Sequence, residues 1–136
     1  MGRYNRVNLD GLQDIVSAPA TAATKAGTVV NLVAGKFANA TAGLLRAYAV
    51  HTADTATDVD TTIALGANIN GDKIVTGRTF ALRLAVSQTV AKDAELFVTT
   101  GGLLTTTGTA GAGMFWANEA LTTGAGENFL ISVTAK

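Results

Sequence analysis

The stretch Thr79 to Ser87, TFALRLAVS, alternates without a break: Phe80, Leu82, Leu84 and Val86 fall on one side, Ala81, Arg83 and Ala85 on the other. A period of two held that long fits a pleated strand and no helix. A strand with one large apolar face needs neighbours, so the alternation commits the chain to a sheet. Asn128 to Thr134 repeats the pattern, with Phe129, Ile131 and Val133 predicted inward and Leu130, Ser132 and Thr134 outward. Further strands are predicted over Thr28–Val33, Leu44–His51, Thr61–Leu65, Lys73–Val75, Glu95–Thr99, Leu103–Thr105 and Met114–Glu119, each bounded by Gly, Asn, Asp or Thr clusters. Helix has little support. Leu9 to Ala18 offers at most a turn or two, weakened by Gly11 and the Ile15-Val16 pair and stopped by Pro19.

Many short strands with turn signals between them predict an all-β fold, a small barrel or sandwich of antiparallel strands. Fifteen glycines against a single proline suit many reversals that need positive φ. With 136 residues the chain fits one domain, predicted over 27–136 behind an extended N-terminal arm, 1–26, whose few large apolar residues are Leu9, Leu12, Ile15 and Val16. Cysteine is absent, which removes disulfides and thiolate chemistry together. The opening MGRYNRVNLDG lacks the apolar core of a signal peptide, and no run reaches the ~18 apolar residues of a spanning helix, so synthesis in the cytoplasm and no membrane partner are expected.

The net charge is zero, and only 15% of residues are charged, so no broad field draws the chain to nucleic acid. Charge is nevertheless partitioned: residues 1–46 carry net +3, 47–71 net −3, 72–92 net +3 and 93–136 net −3. Such alternation suits head-to-tail contacts between identical subunits, or a solvated surface.

One phrase occurs nearly twice. KAGTVVNLVAGK at Lys25–Lys36 and KDAELFVTTGG at Lys92–Gly102 align at an offset of 67, Lys25 with Lys92, Val30 with Phe97 and Gly35 with Gly102. Each copy reads as strand, glycine turn, short strand, small-residue loop, strand. No acid, base or nucleophile recurs at matching positions, so the repetition is scaffold, the alternative being a chance echo in an Ala/Thr/Gly-rich chain.

Chemistry is sparse. His51 is the sole histidine and has no second ligand at metal spacing, so it reads as a strand-end residue, and a hydrolase would have to depend on it. Asp54, Asp58 and Asp60 lack the glycine and final Glu of a calcium loop. GTAGAG at Gly108–Gly113 has neither the Lys-Ser/Thr ending nor the following helix of a phosphate loop. Glu95, Glu119 and Glu127 are too scattered to nominate a catalytic pair. The Asn39-Ala40-Thr41 acceptor pattern carries nothing without secretion. No enzyme, cofactor, metal or small-molecule substrate is expected. Arg3, Tyr4 and Arg6 make a small basic, aromatic arm with too few cations for nucleic acid. Phe115 and Trp116 are adjacent and face opposite ways, which makes them candidate interface aromatics.

The C-terminal third, VAKDAELFVTTGGLLTTTGTAGAGMFWANEALTTGAGENFLISVTAK, resembles the capsid decoration (cement) proteins of tailed bacteriophages. The likeness runs through Val90–Val98, the Gly-Gly turn and threonines of Thr99–Thr107, the Gly108–Gly113 loop, the aromatic strand Met114–Leu121 and the closing strand within Gly124–Val133. It implies a small β-barrel or β-tulip on the capsid exterior, a homo-oligomer with trimer ahead of dimer. The partner implied is the major capsid protein, held partly through an arm containing Arg3, Tyr4, Arg6, Leu9, Leu12 and Ile15. The alternative from another class is an adhesive or carbohydrate-binding module with Tyr4, Tyr48 or Trp116 as its platform.

Overall fold

The computed structural model describes residues 7–10, 14–41, 46–51, 60–126 and 129–136. Within them the fold is all-β, and no helix occurs. Two antiparallel five-stranded sheets account for most of it. The first contains β1 (Ile15–Pro19), β2 (Val29–Val33), β3 (Lys36–Asn39), β4 (Ala47–Val50) and β5 (Asn68–Lys73), in the order β1-β5-β4-β2-β3. The second contains β6 (Thr79–Arg83), β8 (Glu95–Thr99), β9 (Leu103–Thr105), β10 (Phe115–Ala117) and β12 (Leu130–Ala135), in the order β6-β12-β10-β8-β9. A two-stranded ribbon pairs β7 (Thr89–Val90) with β11 (Leu121–Thr122).

The two orders are the same order. Replacing β1, β5, β4, β2 and β3 by β6, β12, β10, β8 and β9 converts one sheet into the other. The ribbon has its counterpart too: Thr24 and Ile63, placed between the corresponding strands of the first half, bridge each other antiparallel. In both halves the sheet curls until its edges touch at one parallel bridge, Ala20 with Phe37 and Leu84 with Leu104. These are single bridges, so of the barrel or sandwich predicted the structure takes the sandwich-like form, two curled sheets packed together. The sequence echo at offset 67 is thus an architectural repeat, shifted by one residue along the second strand. Leu96, which pairs with Phe115, is the equivalent of Val30, which pairs with Tyr48. The second hairpin is one residue longer. Ala34 and Gly35 turn the first at φ 51° and 77°, whereas Thr100 to Gly102 turn the second, with Gly101 and Gly102 at 83° and 74°.

Each curled sheet has its own interior. The first holds Ala18, Ala20, Val30, Phe37, Tyr48, Val50, Ile63 and Ile69, with the Phe37 and Tyr48 rings edge-on at 5.2 Å. Gly71 is required there, because a Cβ would stand 2.8 Å from Phe37 Cζ. The second interior, built on Phe80, Leu82, Leu96, Phe115, Ile131 and Val133, is continuous with Val7, Ala26, Val29, Ala47 and Ala49 from the first half. Strand β4 is therefore buried on both faces, its alanines toward the second unit and Tyr48 and Val50 toward its own. Leu130, predicted outward, is buried, since its side chain lies against Gly27 of the first half. Val86, predicted inward, is exposed because Ser87 turns the chain at φ 56°.

Several segments differ from expectation: Thr61–Leu65 gives only the isolated Ile63 bridge, and the strand expected over Lys73–Val75 is β5, which ends at Lys73. Leu9–Ala18 carries the start of β1 rather than helix, held by pairing with β5 from Ile15↔Asp72 to Pro19↔Asn68. Tertiary pairing overrides a weak local preference. Of the segment read as an arm, residues 7–10 and 14–26 straddle both sheets: Ala81 donates to the Val7 carbonyl at 2.7 Å, Asn8 bridges Phe80, and β1 edges the first sheet.

Backbone joins the units directly. The Gly102 amide donates to Ala40 (2.7 Å), and its carbonyl accepts from Val29 (2.9 Å). A Cβ at Gly102 would lie 2.2 Å from the Val29 carbonyl oxygen, whereas one at Gly101 meets nothing within 4 Å. Gly101→Ala is therefore expected to cost about 1 kcal/mol from positive φ alone, and Gly102→Ala about 3 kcal/mol or more because backbone cannot yield. Urea midpoints of the two variants compare the costs directly.

Candidate functional site

The densest polar cluster centres on Asp72, the penultimate residue of β5, whose side chain is fully buried. Arg78 grips it with two parallel bonds, Nη1 to Oδ1 and Nη2 to Oδ2, both 2.9 Å. Asn8 Nδ2 donates to Oδ2 at 2.7 Å, and the Asp14 amide donates to Oδ1 at 3.0 Å. His51 Nε2 stands 3.5 Å from Oδ2. Asp10 completes the arrangement, accepting from the Thr79 amide at 2.9 Å and lying 3.6 Å from Arg78 Nη2. Arg78 also sits over the Phe80 ring, 5.0 Å from its centroid.

Burial pushes the Asp72 carboxyl up, but the hydrogen bonds from Arg78, Asn8 and the Asp14 amide, with the Arg78 charge, outweigh it and hold it below the usual range. Every lone pair is engaged and no side of the carboxylate faces an open cleft, so the cluster is a clasp. It ties the N-terminal segment and β5 to the start of β6. A folded pKa below the unfolded value of about 3.9 gives stability that is complete above that pH and is lost as pH falls through the folded value. Asp72→Asn is expected to destabilise by about 3 kcal/mol at pH 7 and to flatten the loss of stability below about pH 4, as followed by urea denaturation across pH.

A second cluster lies on the outer face of the second sheet. Trp116, 44% exposed, stands beside Glu95 and Thr134 on the neighbouring strands, with the Lys136 ammonium 4.5 Å from its ring centroid. Lys136 Nζ also donates to Glu95 Oε2 at 2.6 Å. The Gly108–Gly113 loop closes on the same carboxylate, the Gly111 amide donating to Oε1 and the Gly113 amide to Oε2. So the loop with a faint phosphate-loop look does wrap an anion, but the anion is Glu95. The Lys136 hydrogen bond first, then the Gly111 amide, hold the Glu95 carboxyl below its ordinary range.

The structure separates the residues singled out in the sequence. Phe115 is fully buried between Leu96 and Ala135, so the interface-aromatic expectation passes to Trp116 alone. Leu9 packs against the core and Ile15 is exposed on the edge strand. Arg3, Tyr4, Arg6, Leu12, Asp54, Asp58 and Glu127 lie outside the described residues. Asp60 pairs with the buried Arg83 at 3.0 Å, and Glu119 accepts from the Ser132 amide at 2.9 Å. Among the described residues, no three His, Asp or Glu side chains are grouped to hold a metal.

No family model matches the chain, and no curated protein matches it. Among solved structures, it is similar to the head fiber gp8.5 N base of bacteriophage phi29, with a TM-score of 0.63 at 10% sequence identity, covering 92% of this chain and 95% of that one. The two share one fold. At this identity the side chains differ almost throughout, so the common element is the strand arrangement.

Proposed function

We propose that the chain is a structural protein of a phage virion, set on the outside of the head, where it binds the major capsid protein and stabilises contacts between its subunits. The observation that carries this reading is the fold held in common with a head fiber base over nearly the full length of both chains. The resemblance of Val90–Val133 to capsid decoration proteins points the same way. The physical design suits such a role, since the core of the second curled sheet takes in residues of the first and their backbones bond across the joint. A plug of this kind reinforces a shell because each bound copy adds free energy only in the geometry it fits.

In this reading the chain acts as a homo-oligomer, a trimer ahead of a dimer, and Arg3, Tyr4 and Arg6 contact the shell from ahead of the Val7 anchor. Val7, just behind them, is buried, and its carbonyl accepts from the Ala81 amide of β6. Deleting residues 1–6 is expected to weaken attachment to heads while leaving the unfolding midpoint unchanged. Quantitative mass spectrometry of purified virions tests the role itself: a copy number equal to that of the major capsid protein, or a simple fraction of it, is expected. A handful of copies, or none, contradicts the assignment and favours an adhesive module.

A further inference from the structure

Because the two units are built alike, the places where they differ carry information. Tyr48 of β4 and Phe115 of β10 occupy equivalent positions, each pointing into the interior of its own unit. Beside Phe115 the mouth of that interior is sealed. Its cross-strand partner Ala135 is buried and Gly113 two residues earlier is buried, whereas the backbone bond alongside, from the Lys136 amide to the Met114 carbonyl at 3.0 Å, recurs in the first unit from the Ile74 amide to the Ala47 carbonyl at 3.1 Å, so the difference lies in the side chains. The corresponding positions beside Tyr48 are its partner Lys73 and, two residues earlier, Arg46.

Both are exposed cations, and the mouth is open. Arg46, Ala47, Tyr48, Lys73 and Ile74 line a recess of about 350 Å³. Among the described residues neither the Arg46 guanidinium nor the Lys73 ammonium has an ion-pair partner. Arg46 is held at φ 50°, a backbone conformation that a residue with a side chain adopts at a cost. Where the second unit spends this position on sealing its core, the first keeps it open, charged and strained.

Resting on the capsid reading above, we propose that this recess seats a carboxylate side chain, Asp or Glu, of the shell protein to which the chain attaches. Two cations without an ion-pair partner among the described residues, over a floor of Tyr48, Ala47 and Ile74, match a group with an anionic end and a short apolar stem. Exposed apolar residues continue from the rim: Val75 follows Ile74, and Val33 follows Leu32, whose amide donates to the Arg46 carbonyl at 3.1 Å. They supply the apolar surround in which a charge pair fixes register rather than merely attracting. A polyanion is disfavoured, because the chain is neutral overall and two cations release too few counterions to hold one.

The test uses the full chain in two arms. In the first, amide resonances are followed by NMR during titration with a glutamate-rich peptide carrying leucines, with its glutamine-matched counterpart and with inorganic phosphate. Shifts at residues 46–48 and 73–74 are expected with the glutamate peptide only, and the Arg46→Gln/Lys73→Gln variant is expected to bind it about tenfold more weakly or less. In the second, both proteins are added to purified heads lacking the chain. The variant is expected to attach about tenfold more weakly at an unchanged unfolding midpoint, with a flatter salt dependence. Absent shifts, equal shifts with the glutamine peptide or phosphate, or equal attachment of the variant overturns the recess. Should the wild type fail to attach to heads while the glutamate-specific shifts appear, the capsid reading falls and the carboxylate seat stands.

Discussion

A carboxylate taken wholly out of water must be given partners, and Asp72 finds them in segments far apart in the chain. Arg78 supplies two hydrogen bonds from beyond β5, Asn8 one from the N-terminal segment, and the Asp14 amide one from the threshold of β1. None of these segments can leave without stranding a buried charge, which costs several kcal/mol. The clasp therefore fixes three things at once. It sets where the N-terminal segment crosses from the second sheet to the first, how β5 leaves its sheet, and where β6 begins the other.

Around that clasp the molecule is one supersecondary plan used twice. The second copy is not complete alone, since Val29, Ala47 and Ala49 of the first unit belong to its core. Small side chains at this joint bring the sheets close, and Gly27 and Gly102 bring them closer, to backbone hydrogen bonding distance. Gly27 accepts from the Arg83 amide at 2.9 Å, and Arg83 Nε reaches the Ala26 carbonyl at 2.8 Å. The alanine and glycine content that gives the sequence its low-complexity look is the material of that joint.

Legibility in the sequence followed local pattern. β8 and β9 were readable to the residue, because Glu95–Thr99 alternates cleanly and the glycine pair ends it. β1 was not, because its strand character comes from pairing with β5 across more than fifty residues. β7 and β11 are two residues each and have no period to detect. The recurring phrase was visible, yet only the strand order showed that the halves are equivalent, since the longer second hairpin puts the echo out of step by a residue. Of the polar sites, Trp116 was legible from its place beside Phe115. Asp72 was hidden, because nothing in a single acid within NINGDK shows that Asn8, from the other end of the first half, and Arg78 will converge on it. The Arg46–Lys73 recess was hidden for the same reason, with its cations on neighbouring strands that lie far apart in sequence.

The shared burial at the joint and the clasp on Asp72 require the two units to behave as one body. Differential scanning calorimetry tests this most directly. A shared core and a common clasp predict a single transition whose calorimetric and van't Hoff enthalpies are equal. Two resolved transitions, or a calorimetric enthalpy well above the van't Hoff value, would mean that the halves unfold independently and would contradict the account.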